Sequence, residues 1–233
     1  MYEETLTQWT ERIQGIPIVE PLYANDSFVC MLLACFFILS AALSSGGKML
    51  EDILSDFFLP REYAKEGTKT THALYMRLGM FSISFMATAL FFAVYVIRSG
   101  AFEMTQGFRL TLLFFVLLVA VYALKQGLYR AVNWVFFDKM QAVAWRWSYS
   151  NWVILSGVLM FLISLSSVFF DLSAHALSIL LVSYVILVEI CLFFKAFHIF
   201  YAKKYGVLLL IVYLCTLELM PLLLAGKALV LYL

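Results

Sequence analysis

Charge is scarce in this chain. Asp, Glu, Lys and Arg make up 13% of its 233 residues, against 64% hydrophobic; a soluble domain carries about 25% charged residues. That much apolar surface cannot be hidden on a water-soluble fold and would aggregate there. Lipid is the solvent that fits. The net charge is only +1, which leaves no polybasic arm or acidic tail for nucleic acid. Cysteine is rare too. Cys30, Cys35, Cys191 and Cys215 all fall inside apolar runs, with no Cys-x-x-Cys pair and no His at metal-ligand spacing. They read as small buried apolar residues rather than as a disulfide framework or a metal site.

Catalytic signatures are missing as well. There is no HExxH pair, no GxSxG elbow, no Walker loop and no GxGxxG. Among the histidines, His175 and His198 are about 34 Å apart along one helix and cannot ligate one haem; His72 with His198 is the pair that geometry allows. No catalytic residue, metal or cofactor is assigned. The first 26 residues hold Glu3, Glu4, Glu11, Glu20 and Asp26 against Arg12. This is the reverse of the basic start of a signal peptide, and no lipidation signal appears. They form a short acidic tail ahead of one transmembrane domain, 27–233.

What the chain has is long apolar runs. About 20 apolar residues cross a bilayer core as a helix. Six spans are expected, at about 27–47, 78–97, 108–130, 147–170, 173–195 and 205–227. The third requires Lys125 to snorkel. The turn near Asp171, Ser173 and His175 is tight, but the flanking runs are long enough for two crossings rather than a re-entrant hairpin. Residues 49–59 differ. Met49, Leu50, Ile53, Leu54, Phe57 and Phe58 form one stripe and Glu51, Asp52 and Asp56 another, which is an amphipathic helix. Pro60 stops it. It lies at the interface or docks on the bundle. The fold class is therefore all-α: a polytopic transmembrane bundle with a short amphipathic helix.

Charge asymmetry orients it. The loops 44–77, 125–146 and 195–204 carry twelve of the sixteen basic residues; Arg12, Arg98, Arg109 and Lys227 lie on the other side. Lys and Arg in short loops stay cytoplasmic. Both termini are thus expected outside, periplasmic if the membrane is an inner one. Trp134, Trp145, Trp147 and Trp152 cluster at the cytoplasmic side, where indoles favour the headgroup level. Small pairs at four-residue spacing, Ser84 with Thr88 and Ala89 with Ala93, allow close helix approach.

Ionisable groups within spans are costly and need a reason. Lys125 and Glu189 fall at similar depth near the cytoplasmic edge, so they can pair. Glu218 lies near the midplane, and Pro221 three residues later frees the carbonyl of Leu217. Two readings stay open for it: a proton or cation site at a broken helix, as transporters use, or a neutral carboxyl that fixes the bundle.

The stretch from Tyr213 through Glu218 and Pro221 to Lys227 resembles the C-terminal signature of a bacterial membrane family, the domain of unknown function numbered 4271, seen mainly in the Bacteroidota. The long third helix with Lys125 and Arg130, then Phe136-Phe137-Asp138 and Ser150-Asn151, is similar too. The resemblance covers roughly 28–230. It implies an inner-membrane protein of a Gram-negative cell and carries no established site residue with it. The expected role is a small non-enzymatic subunit or assembly factor whose partners are the bilayer and other membrane proteins. The alternatives are an ion-coupled transporter centred on Glu218 and a lipid-modifying enzyme.

Overall fold

The computed structural model describes residues 22–45, 53, 71–136, 139–170 and 172–200. Within them are five long helices and no strand. We number these α1 (Asp26–Ser45), α2 (Thr71–Arg98), α3 (Gly107–Phe136), α4 (Lys139–Phe169) and α5 (Ala174–Phe200). Each contains a stretch apolar and long enough to cross a membrane, so the chain is a multi-pass membrane protein. The sixth expected span, 205–227, lies outside the described residues. So does the amphipathic helix 49–59, apart from Ile53.

Helices outrun the apolar runs that announce them. α3 continues past Lys125 to Phe136, and α4 begins at Lys139, well ahead of its apolar window Trp145–Phe169. A charged residue ends a hydrophobic run, but Lys and Arg are good helix formers and do not end the helix. True ends have their own chemistry. Asn25 caps α1: its side-chain oxygen accepts from the Ser27 N–H at 3.0 Å while its amide donates to the Met104 carbonyl at 3.1 Å. One side chain thereby starts α1 and ties down the α2–α3 connection. α2 stops at Gly100, whose φ of 80° suits the left-handed position after a helix. The Ser173 hydroxyl accepts from the Ala176 N–H at 3.3 Å and starts α5, so α4 and α5 are two separate long helices.

α2 is the axis of the bundle. It packs most extensively on α4, then on α3 and α1, while α5 rests chiefly on α4. The α2–α4 seam is built from small residues. Gly157 faces Ser84 so closely that a methyl on Gly157 would overlap its side chain. The Ser84 hydroxyl donates to Met80 O in its own helix at 2.9 Å and leans toward Ile154 O across the seam at 3.4 Å. One turn further, Ser164 donates to Ala87 O at 2.7 Å. Ala89 and Ala93 are fully buried, and Thr88 bonds back to Ser84 O at 2.7 Å. In lipid such close approach substitutes for the hydrophobic driving force that water would supply.

The core runs the length of this seam. At the α1 start, Phe28 is fully buried and fills the space over Gly107, where a Cβ would meet its ring at 2.6 Å. At the other end Ile53 is buried with Ala42, Met80, Ile83 and Ile154. That one described residue of the 49–59 stripe therefore docks on the bundle. Cys35 is buried and Cys191 half-buried, but Cys30 faces outward. An apolar thiol is as much at home against acyl chains as in a core.

Candidate functional site

The polar and aromatic residues gather where α2 and α5 meet the ends of α3 and α4. Tyr129, Trp145, Tyr149, Trp152 and Leu192 form a buried cluster there. Its order comes from helical spacing. Trp145, Tyr149 and Trp152 lie at four and three residues along α4, and Tyr122 and Tyr129 are two turns apart on α3, so each set shares one face. The rings interlock. Tyr129 meets Tyr149 edge-on at 5.0 Å between centroids and Trp145 at 6.1 Å, and Tyr122 stacks on Tyr149 at 6.4 Å. Phe81 and Phe85 of α2 continue the array onto Tyr122 at 5.6 and 5.3 Å.

Two of the tryptophans expected at the headgroup level thus turn inward, Trp145 and Trp152 being 1% and 7% exposed. Their depth is interfacial, but they sit on the stripe that faces α3 and α5. Trp147 stays outside, and the side chain of Trp134 lies outside the described set.

Beside this cluster, in the α2–α4 groove, sits Arg77. Its guanidinium carbon lies over the Trp147 ring, 3.7 Å from the centroid. Its Nη2 donates to the Asn151 side-chain oxygen at 2.8 Å. Trp147 and Asn151 are four residues apart on α4 and so present one face to the arginine. Asn151 is buried, Arg77 is half-buried, and Trp147 is 41% exposed. A cation–π contact with an indole and a bond to an amide hold the guanidinium in place. Sequence reading treats Arg77 only as a loop charge. The available signal was the Trp–x3–Asn pair at the matching depth of another helix.

Lys125 follows Tyr122 by three residues and precedes Tyr129 by four, so it shares their face of α3, half-buried. Glu189 precedes Leu192 by three on α5 and is half-buried as well. Both border the aromatic cluster, and each engages a partner. Glu218, Pro221, Tyr213 and Lys227 lie outside the described residues, as do the side chains of His72 and His198. Among the described residues, no three His, Cys, Asp or Glu gather to hold a metal ion.

Farther out, Tyr184 of α5 donates its hydroxyl to Ser156 O of α4 at 3.1 Å. This is a polar pin between those two helices. On the opposite side of α5, Ile179, Val182, Ile186, Ile190 and Phe193 form one exposed stripe.

A family model described as "Domain of unknown function (DUF4271)" matches residues 28–229. No curated protein and no solved structure matches the chain.

Proposed function

We propose, for a chain that belongs to the DUF4271 family, a non-enzymatic role as a small membrane subunit or assembly factor that works by side-to-side contact with other membrane proteins. One observation carries this reading: α2 and α4 form a sealed pair, and α3 and α5 are exposed flanks. α2 and α4 close on each other through Ser84, Gly157 and Ser164. α3 and α5 instead have only 17% and 11% of their most apolar windows buried. A rigid centre with wide apolar flanks is a scaffold for lateral packing.

The membrane in this reading is the inner membrane of a Gram-negative cell, with both termini periplasmic. Twelve of the sixteen basic residues in three alternate loops support that orientation. A C-terminal alkaline phosphatase fusion is then active and a fusion after Lys204 inactive; the opposite pattern reverses the topology.

The role is tested by purification from native membranes in a mild detergent, with proteomics on the eluate. A stoichiometric membrane partner is expected, and it is lost when Val182, Ile186 and Phe193 are replaced by Ala while the melting temperature holds. Recovery of the chain as a lone species defeats the subunit reading. It shifts weight to the ion-coupled carrier centred on Glu218 and Pro221.

A further inference from the structure

Each of the four longest helices carries one cation at the same depth. They are Arg77 on α2, Arg130 on α3, Arg146 on α4 and Lys195 on α5. About 32 Å of helix separates Arg77 from Arg98, Arg109 from Arg130 and Ala174 from Lys195. The hydrocarbon core is about 30 Å thick. These cations therefore sit where acyl chains give way to headgroups. The opposite boundary is mixed, with Asp26 and Glu103 beside Arg98 and Arg109. Among the described residues the cationic boundary has one nearby carboxylate, Glu189, which lies about 9 Å deeper than Lys195 along α5.

Arg77 stands apart within this ring. Arg130 and Arg146 are exposed on their helices, free to follow whatever passes. Arg77 is held, with the Trp147 ring 3.7 Å beneath its guanidinium and Asn151 at 2.8 Å from Nη2. Fixing a long side chain in place costs conformational entropy, and here the fold has already met that cost before any ligand arrives. A planar guanidinium also matches a phosphate with paired N–H donors, which an ammonium does not. Just deeper than Arg77, Leu78 of α2 presents more than half of its surface outward, and Ile38 of α1, beside Gly79, is exposed as well. That is apolar surface at the depth of the first acyl carbons.

We propose that the groove between α2 and α4 at the cationic boundary, centred on Arg77 over Trp147, binds the phosphate of an anionic phospholipid. The ring of Arg130, Arg146 and Lys195 enriches anionic lipid in the same leaflet, and Arg77 holds one such headgroup. Leu78 and Ile38 take the first carbons of its acyl chains. Free phosphate has no use for that surface, which is why the lipid is the occupant.

The test is native mass spectrometry of the full-length protein, delipidated and then titrated with phosphatidylglycerol, phosphatidylcholine or inorganic phosphate. Wild type should retain one phosphatidylglycerol in preference to phosphatidylcholine, and inorganic phosphate should not displace it. Arg77→Gln should bind phosphatidylglycerol about tenfold more weakly, the loss of one charge-assisted contact. Trp147→Leu should weaken it as well, while Arg109→Gln at the opposite boundary should not. Equal retention by Arg77→Gln overturns the proposal, as does equal retention of phosphatidylcholine. Displacement by inorganic phosphate makes it a soluble-anion site and overturns the lipid assignment. If Arg77→Gln does not fold, Arg77→Lys carries the test: it keeps the charge but not the planar fork, and unchanged binding there sinks the proposal.

Discussion

Replacing Gly157 with alanine exchanges one hydrogen for a methyl group, and the structure says where it goes. The new methyl overlaps the Ser84 side chain and meets the Ser84 Cα at 2.5 Å. A side chain can rotate away; a backbone atom cannot. α2 and α4 must therefore part by a few tenths of an ångström or more. Overpacking of this kind costs about 1–3 kcal/mol. Separation also stretches the Ser84 contact with Ile154 O, already 3.4 Å, and the Ser164 bond to Ala87 O at 2.7 Å. Bonds between membrane helices are worth about 0.6 kcal/mol each. Against this, Ala is favoured over Gly in a helix by about 1 kcal/mol. The net is a loss of about 1–3 kcal/mol. For a chain of this length that is a fall in melting temperature of about 2–12 °C. Intrinsic tryptophan fluorescence in a mild detergent reads it directly. Gly127→Ala on α3 is the control, because nothing lies within 4 Å of its new Cβ; it should hold or raise the melting temperature. If Gly157→Ala melts with or above wild type, in step with Gly127→Ala, then the α2–α4 seam is not tightly closed and does not serve as a rigid centre for lateral packing.

Other perturbations separate seam from surface. Ser164→Ala removes the bond to Ala87 O and should cost about 0.6–1.7 kcal/mol, seen as a lower melting temperature. Ser166→Ala should be neutral, since that half-buried hydroxyl bonds Leu162 O and Ile163 O of its own helix. For Lys125 and Glu189, pairing across the aromatic cluster predicts that Lys125→Met or Glu189→Gln alone costs about 1–3 kcal/mol, scaled down from a fully buried pair for partial exposure. Exchanging the two residues should restore membrane accumulation, and an exchange no better than either single change argues that they bind elsewhere. For Glu218→Gln, a structural carboxyl predicts reduced abundance or thermal stability, whereas unchanged abundance with a lost proton flux in liposomes identifies a carrier.

The membrane class was legible in the sequence because hydropathy averages over many residues and lipid tolerates few departures. The positions of α1 to α5 follow from the same runs, but their lengths do not. A run of apolar residues reports only the part of a helix inside hydrocarbon, and α3 and α4 continue well into the headgroup layer. The seam was half-visible. Ser84 with Thr88 and Ala89 with Ala93 mark α2 as a close-packing helix, yet nothing in α2 says that Gly157 is the residue it meets. That pairing is set by the register of two helices about seventy residues apart in sequence, and local spacing carries no information about register.

The same distinction explains the site. A helix in a bilayer has two coordinates, depth and azimuth. Depth is written into the sequence by the distance of a residue from the ends of its apolar run. That is why Lys125 and Glu189 were placed at one level, and why four cations can be assigned to one boundary. Azimuth depends on which neighbour the helix meets. Trp145, Trp147 and Trp152 share a depth to within about 11 Å, yet one indole stays outside under Arg77 while the other two line the aromatic cluster. Depth alone makes all three interfacial anchors; azimuth gives them different work. Arg77 was counted with the loop charges for the same reason, because its partners lie on α4. A tally of cations per loop decides how the chain sits in the membrane. Which of those cations is held rigid, and so can discriminate one headgroup from another, emerges only when α2 and α4 are placed together.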